Sequence, residues 1–318
     1  MVSPKIDFTV CVLTIRPRLR FLLRLLNSLR AINQKFNLNI LYSSGMQTEE
    51  FKKLKKIISS NCEKLNLNRL KILSKKTSIA NGWNILLKNT KSKYVAFVAD
   101  DVTISSDLLQ IGSDYMKRYP LALLGIKSYV NDSNRVDKPK LSQASYFKYK
   151  DLLLGPVLAV FVICDAHLIR KAGGFGHCRR NWGEWIDLNC RLLNNGFPTA
   201  YLLSKKIYVN HWIKAVNSPT RNMGGRHEDI IRGIILTAFE YNLLKYPQNK
   251  FWNVVKNRYL NYAYDKSVSK EQLFFDTLKV FYTLLNEKCL STCKGDKRYI
   301  PYSPVSLKEW MKLLKKSN

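Results

Sequence analysis

The sequence predicts an α/β fold, a sheet flanked by helices with a mostly helical C-terminal extension. Three observations carry this. Strand-like and helical stretches alternate from Phe8 to Ala99, the pattern of βαβ units and a parallel sheet. Beyond His211 the apolar spacing is mostly helical. Finally, the apolar run Tyr94-Val95-Ala96-Phe97-Val98-Ala99 ends on Asp100-Asp101. That delivers two carboxylates to the C-terminal edge of a sheet, where α/β proteins bind ligands.

The elements follow in order. Phe8 to Thr14 is an apolar first strand stopped by Pro17, and Leu19 to Leu29 has helical spacing. Leu38 to Tyr42 is a second strand ending at Ser43-Ser44-Gly45, and Glu49 to Ser60 is a basic amphipathic helix. Arg69 to Leu73 is a third strand, Ile79 to Asn89 a helix, and Tyr94 to Ala99 the fourth strand. After Asp107 the rhythm changes. Leu108 to Lys117 is helical, Leu121 to Val130 strand-like, and the polar stretch Asn131 to Lys140 reads as a loop. Val157 to Cys164 is strand-like, and Ala166 to Lys171 is a short helix ended by Gly173-Gly174. Glu184 to Leu193 is a helix stopped by Asn194-Asn195-Gly196, and Ala200 to Leu203 and Ile207 to Val209 are short strands. Helices then run from Asp229 to Leu244, Phe251 to Tyr264, Gln272 to Leu285 and Leu307 to Lys316. The last carries Lys308, Lys312, Lys315 and Lys316 beside Trp310. No repeat or low-complexity stretch is present.

Bulk properties bound the function. The 318 residues are 46% hydrophobic, enough for a sizeable core, and 53 Lys plus Arg against 23 Asp plus Glu give a net charge of +30. Such a chain favours polyanionic partners: nucleic acid, anionic membrane or phosphorylated substrates. Richness in Lys, Asn, Ile and Leu offers a compositional reading of the same charge. The seven cysteines form no regular framework, which fits a reducing, cytoplasmic setting. Cys289 and Cys293 have no second Cys/His pair at zinc-site spacing. The N-terminus lacks the apolar region of a signal peptide, and the longest apolar run, Val157 to Cys164, is far short of the ~20 residues of a membrane span. A soluble or peripheral protein is the expectation.

The acidic pair carries the chemistry. Carboxylates at a sheet edge can hold a hard divalent cation, and the cation a diphosphate. Around it, several motifs follow one another in a fixed order. They are Val10-Cys11-Val12-Leu13-Thr14-Ile15-Arg16-Pro17, Arg24-Leu25-Leu26-Asn27-Ser28-Leu29, Ala80-Asn81-Gly82-Trp83-Asn84, and Ala99-Asp100-Asp101-Val102. Gly173-Gly174-Phe175 and Gly183-Glu184-Trp185-Ile186-Asp187-Leu188-Asn189-Cys190-Arg191-Leu192 complete them. From about residue 8 to 212 this order and spacing resembles the family 2 glycosyltransferases. Their fold is GT-A, a Rossmann-like mixed sheet flanked by helices.

The resemblance implies a transferase domain over 1–215, with a donor half to about 107 and an acceptor half from about 108. The basic helical extension is then 216–318. It also implies a metal-dependent, inverting transfer of a sugar from a nucleoside diphosphate, a UDP-sugar being favoured. The acceptor would be a glycan, a lipid-linked or a protein-linked group, with Mn²⁺ or Mg²⁺ neutralising the leaving group. Ala99-Asp100-Asp101 occupies the position of the family's DxD motif, with Ala99 in its first acidic place. Asp101 is then the expected metal ligand, and Asp100 binds the ribose or supports the metal through water. His211 is either a further ligand, which suits Mn²⁺ better than Mg²⁺, or a packed residue beside Trp212. Thr14, Arg16, Ser43 and Asn84 are expected donor contacts.

An inverting transfer needs one base for the acceptor hydroxyl. The family usually places Glu-Asp there, whereas this chain has Glu184-Trp185. The base is then Glu184, or Asp187 one turn later, and Trp182 and Trp185 form an apolar platform for the acceptor or pack in the core. A second departure is Tyr42-Ser43-Ser44, where the family usually has acids near base and ribose. Arg221, Arg226, His227 and Arg232 would grip diphosphate oxygens on a lid hinged at Gly224-Gly225, or form a solvated loop and helix start. The Lys-rich last helix could lie on an anionic membrane surface.

Other classes compete. A nucleotidyltransferase would show a Gly-rich loop after the first strand, and Thr14 to Arg18 contains no Gly. A nucleic-acid-binding protein rests on charge alone, with no motif behind it. An inactive glycosyltransferase-like protein would account for Ala99 and the missing Glu-Asp pair.

Overall fold

The structure, a computed structural model, describes residues 8–14, 18–43, 48–126, 128–130, 136–137, 147–155, 157, 159–176, 184–203, 207–212, 225–240 and 269–287. The first half folds as the alternation predicts. Strands β1 (Phe8–Thr14), β2 (Phe36–Tyr42), β3 (Leu67–Ser74) and β4 (Tyr94–Ala99) are separated by helices α1 (Leu19–Leu29), α2 (Thr48–Cys62) and α3 (Ile79–Lys88). These four strands are parallel neighbours in the order β3-β2-β1-β4.

Side-chain alternation gives the sheet two faces. Val10, Val12, Ala96 and Val98 point into the core shared with α1, where Phe21, Leu22, Leu25, Leu26 and Leu29 are buried. Cys11, Leu13, Val95 and Phe97 point the other way, onto Trp83, Leu86 and Leu87 of α3. Each buried Leu or Phe of α1 contributes about 2 kcal/mol of apolar burial, which anchors the helix against β1.

The second half is mixed. After β5 (Val102–Ile104) and α4 (Leu108–Arg118) come β6 (Leu123–Ile126), β7 (Ser128–Val130), β8 (Val136–Asp137), β9 (Phe147–Tyr149), β10 (Leu152–Leu154) and β11 (Phe161–Asp165). Then follow α5 (Ala166–Lys171), α6 (Glu184–Asn194), β12 (Thr199–Leu202), β13 (Val209–His211), α7 (Gly225–Glu240) and, as α8, Lys270–Asn286. Strand β11 joins β4 antiparallel and extends the sheet through β6, β12, β10 and β9. Strands β5, β13, β7 and β8 form a separate small sheet.

Several expectations are corrected. The stretch Asn131 to Lys140, expected to be a loop, contains β8, which pairs with β7. The run Leu121 to Val130 splits into β6 and β7, which belong to different sheets. The strand expected to end at Val209 instead begins there and includes His211. The strand placed at Val157 to Cys164 starts later, at Phe161. The expected helices Phe251 to Tyr264 and Leu307 to Lys316 lie outside the described residues. Among the described residues no helix is long and apolar enough to cross a membrane.

Candidate active site

The parallel register lines up four strand ends. Thr14 pairs with Tyr42, Tyr42 with Ser74, and Leu13 with Ala99, so Thr14, Ser43, Lys75 and Asp100 follow along one sheet edge. Hydrogen bonds between these ends extend the ladder. Ser43 donates to the Thr14 carbonyl from both its backbone N–H (2.8 Å) and its Oγ (3.2 Å), and Thr77 N–H donates to the Ser43 carbonyl (2.9 Å).

Asp100 and Asp101 occupy the turn between the two sheets, and the small sheet fixes what faces them. Strand β13 runs antiparallel to β5 with His211 opposite Val102, and the Trp212 N–H donates to the Asp101 carbonyl at 2.9 Å. The ladder thereby brings His211 Nε2 to 3.6 Å from Asp101 Oδ2, close enough for charge to act but too long for a good hydrogen bond. Trp212 is braced in turn. Its Nε1–H reaches Thr103 Oγ1 at 3.4 Å, and the Arg24 guanidinium of α1 lies 4.4 Å from its ring centroid.

The carboxylates themselves are buried, Asp100 at 1% and Asp101 at 9% exposure. Thr14 Oγ1 donates to Asp100 Oδ2 at 2.6 Å. Arg18 Nη2 lies 3.0 Å from Asp100 Oδ1 and also pairs with Asp101 Oδ2, so one guanidinium bridges both acids. Burial pushes Asp100 up to about 7, with the Asp101 charge adding to the rise and Arg18 and Thr14 opposing it. Burial acts on Asp101 in the same direction, but there the His211 imidazole and the Arg18 guanidinium outweigh it and hold the carboxyl below its usual range.

A divalent ion does not fit these side chains as they stand. Asp101 and His211 supply a suitable oxygen and nitrogen, but Arg18 already occupies carboxylate oxygens of both acids. Among the described residues no three of His, Cys, Asp and Glu converge as a ligand set.

A second polar centre lies on the α3 side of the sheet, around the turn after α5. Gly173 (φ +86°) and Gly174 (φ +69°) are both left-handed, and a Cβ on Gly174 would lie 2.6 Å from Asn84 Oδ1. Asn84 grips the next residue from both sides. Its Nδ2 donates to the Phe175 carbonyl (2.7 Å), and its Oδ1 accepts from the Phe175 N–H (2.8 Å). Asp187 is buried and takes Arg191 at both oxygens, Nη2 to Oδ2 at 2.5 Å and Nε to Oδ1 at 3.2 Å, while Gly176 N–H adds a bond of 3.2 Å. The same guanidinium donates to the carbonyls of Ala172 and Gly174.

The expected site residues therefore fall into groups. Thr14, Ser43, Asp100, Asp101 and His211 come together at one edge. Asn84 and Asp187 instead tie the glycine turn to α3 and α6. Glu184 is half-buried in the first turn of α6, and its acidity complements the positive end of that helix. Trp185, considered as an acceptor platform, is half-buried and packs edge-on against Phe175 (5.0 Å between centroids) and Phe97 (6.0 Å). Arg16, Trp182 and Arg221 lie outside the described residues, as do the side chains of Arg226 and His227. Arg232, expected on a phosphate-gripping lid, is buried within α7 and paired with Glu287. The residue that sequence reading missed is Arg18. Two adjacent buried acids demand a counter-charge, and the basic residues just after β1 are placed to supply it.

No protein-family model matches the chain, and no curated protein matches it. Solved structures do. Staphylococcus aureus TarS aligns at 17% identity and TM-score 0.58, covering 98% of this chain and 55% of TarS. Its 1–349 fragment aligns at 16% identity and TM-score 0.50, covering 97% and 81% respectively. The Pyrobaculum calidifontis mannosyltransferase PcManGT, solved with GDP-Man and Mn²⁺, aligns at 12% identity and TM-score 0.52, covering 98% and 86%. These neighbours are GT-A glycosyltransferases. At such identities the likeness is one of fold, and the chain has the GT-A fold expected from its sequence.

Proposed function

We propose that this chain is a glycosyltransferase that binds a nucleotide-sugar donor at the edge formed by Thr14, Ser43, Asp100 and Asp101. The observation that carries this is the buried acidic pair with Arg18 and His211 at the junction of the two sheets, on a GT-A fold. PcManGT, of the same fold, was solved with GDP-Man and Mn²⁺, which supports a nucleotide-sugar donor here.

In the proposed reaction the acceptor hydroxyl oxygen attacks the anomeric carbon as its bond to the diphosphate oxygen breaks. The sugar inverts, and the nucleoside diphosphate leaves with the bonding electrons. The hydroxyl proton passes to Glu184. Asp187 is the poorer base, because Arg191 and Gly176 N–H already engage both of its oxygens. Ser43 offers a hydroxyl to a ribose or base. The acceptor is left as a class: a glycan, a lipid-linked or a protein-linked hydroxyl.

The test is turnover of a nucleotide-sugar panel, UDP-sugars and GDP-mannose first, with Mn²⁺, Mg²⁺ or EDTA, by wild type and Asp101→Ala. The expected result is hydrolysis or transfer of one donor, reduced about a hundredfold or more in the variant. The EDTA arm decides whether the metal requirement holds. Failure of every donor to bind or turn over would sink the transferase reading.

A further inference from the structure

We infer that Arg18 is the resident cation of the Asp100–Asp101 pair, so that Arg18 and a divalent ion exclude one another there. This rests on the reading of that edge as the diphosphate side of the donor site, and deepens it.

The charges argue for it. Two carboxylates less than a tenth exposed need positive charge beside them, since an unpaired buried charge is costly. Thr14 supplies one hydrogen bond to Asp100, and His211 stands 3.6 Å from Asp101. Neither touches both acids. Arg18 does, through a single Nη2 at 3.0 Å from Asp100 Oδ1 and in contact with Asp101 Oδ2.

The position of Arg18 is built into the chain. It immediately precedes α1, and that helix is anchored by five buried apolar residues. Its guanidinium lies 5.9 Å from the ring of Phe21, one turn on. Its side chain is only 21% exposed. It is therefore held beside the acids by a fixed helix, unlike a long side chain free in solvent.

The Asp101 oxygen that Arg18 engages, Oδ2, is also the one that faces His211. A divalent ion held by Asp101 and His211 would need that oxygen and would bring two positive charges against the guanidinium. The nucleotide-free protein should therefore bind such an ion poorly while Arg18 is in place. Once displaced, the planar fork of Arg18 would stand at the same edge, suited to phosphate oxygens.

The experiment measures Mn²⁺ binding, by calorimetry and by loss of the free-ion paramagnetic signal, to nucleotide-free wild type, Arg18→Ala and Arg18→Gln. Circular dichroism checks that each is folded. Removal of one charge-assisted contact predicts Mn²⁺ affinity about tenfold to a hundredfold higher in both variants than in wild type. Adding Asp101→Asn to Arg18→Ala should abolish the gain. Equal Mn²⁺ affinity in wild type and in the folded variant or variants, including no binding by either, overturns the inference. So does a gain that survives Asp101→Asn. If neither variant folds, the thermal midpoint of wild type decides. A rise with Mn²⁺ at micromolar concentration overturns the inference, and indifference to it upholds it. None of these readouts uses a sugar nucleotide, so failure here leaves the donor panel to judge the transferase reading separately.

Discussion

Two buried arginine–carboxylate centres lie on this sheet, and their charge balance differs. At Asp187 one carboxylate meets one guanidinium in a fork, a backbone N–H adds a third bond, and the guanidinium's remaining donors go to two carbonyls. At the sheet edge two carboxylates share one guanidinium, with a threonine hydroxyl on one and an imidazole at 3.6 Å from the other. The first centre is closed and balanced, which suits a brace. Among the described residues the second sets two carboxylates against one guanidinium, and burial, with the Asp101 charge adding to it, pushes Asp100 up to about 7. An excess of buried charge costs stability in the free protein and is tolerable where a ligand completes it. Burial alone does not distinguish a structural carboxylate from a ligand-binding one here. The count of partners does.

The largest stability effect should come from breaking the balanced centre. Asp187→Ala strips Arg191 of its carboxylate and the Gly176 N–H of its acceptor, and should lower unfolding free energy by about 3 kcal/mol or more, read from denaturant melts. A loss below about 1 kcal/mol would mean that Asn84 and the bonds of Arg191 to the Ala172 and Gly174 carbonyls hold the turn without the carboxylate.

The same kind of change at the edge should act in the opposite direction. With its folded pKa raised from 3.8 to about 7, Asp100 stabilises the fold fully below about pH 4 and loses that contribution as pH rises through 7. Metal-free wild type should thus lose about 2–4 kcal/mol from this group between pH 4 and 8, since a tenfold change in proton affinity is worth about 1.4 kcal/mol. Asp100→Asn should flatten that slope and be as stable as wild type, or more so, at pH 8. A variant less stable than wild type at pH 8 would show that the edge is balanced after all, and the contrast with Asp187 would fail.

Legibility in the sequence followed the same division. Phe8–Thr14, Leu19–Leu29 and Tyr94–Ala99 could be read to the residue, because each is long enough for its period to show. Three-residue strands have no period. Only Val102 of Val102–Ile104 was read, as the tail of the acidic motif, and the hairpin of Phe147–Tyr149 with Leu152–Leu154 went unseen. Its turn places Lys150 at φ 54°, where Gly or Asn would have signalled a tight reversal. At the site, Asp100 and Asp101 were legible because a strand pointed at them. The partnership of Arg18 with residues more than eighty positions away was not, nor was the grip of Asn84 on Phe175. Such pairings are set by which strand lies beside which, and one sequence does not display that.

The central claim is that the unbalanced edge is where a nucleoside diphosphate binds. The most direct measurement is a crystal structure of the protein with the donor that turns over and Mn²⁺. The account predicts the diphosphate at the ends of β1 and β4 beside Asp101, Arg18 moved off the carboxylates, and the Asp187–Arg191 fork unchanged. A diphosphate bound away from that edge would contradict it.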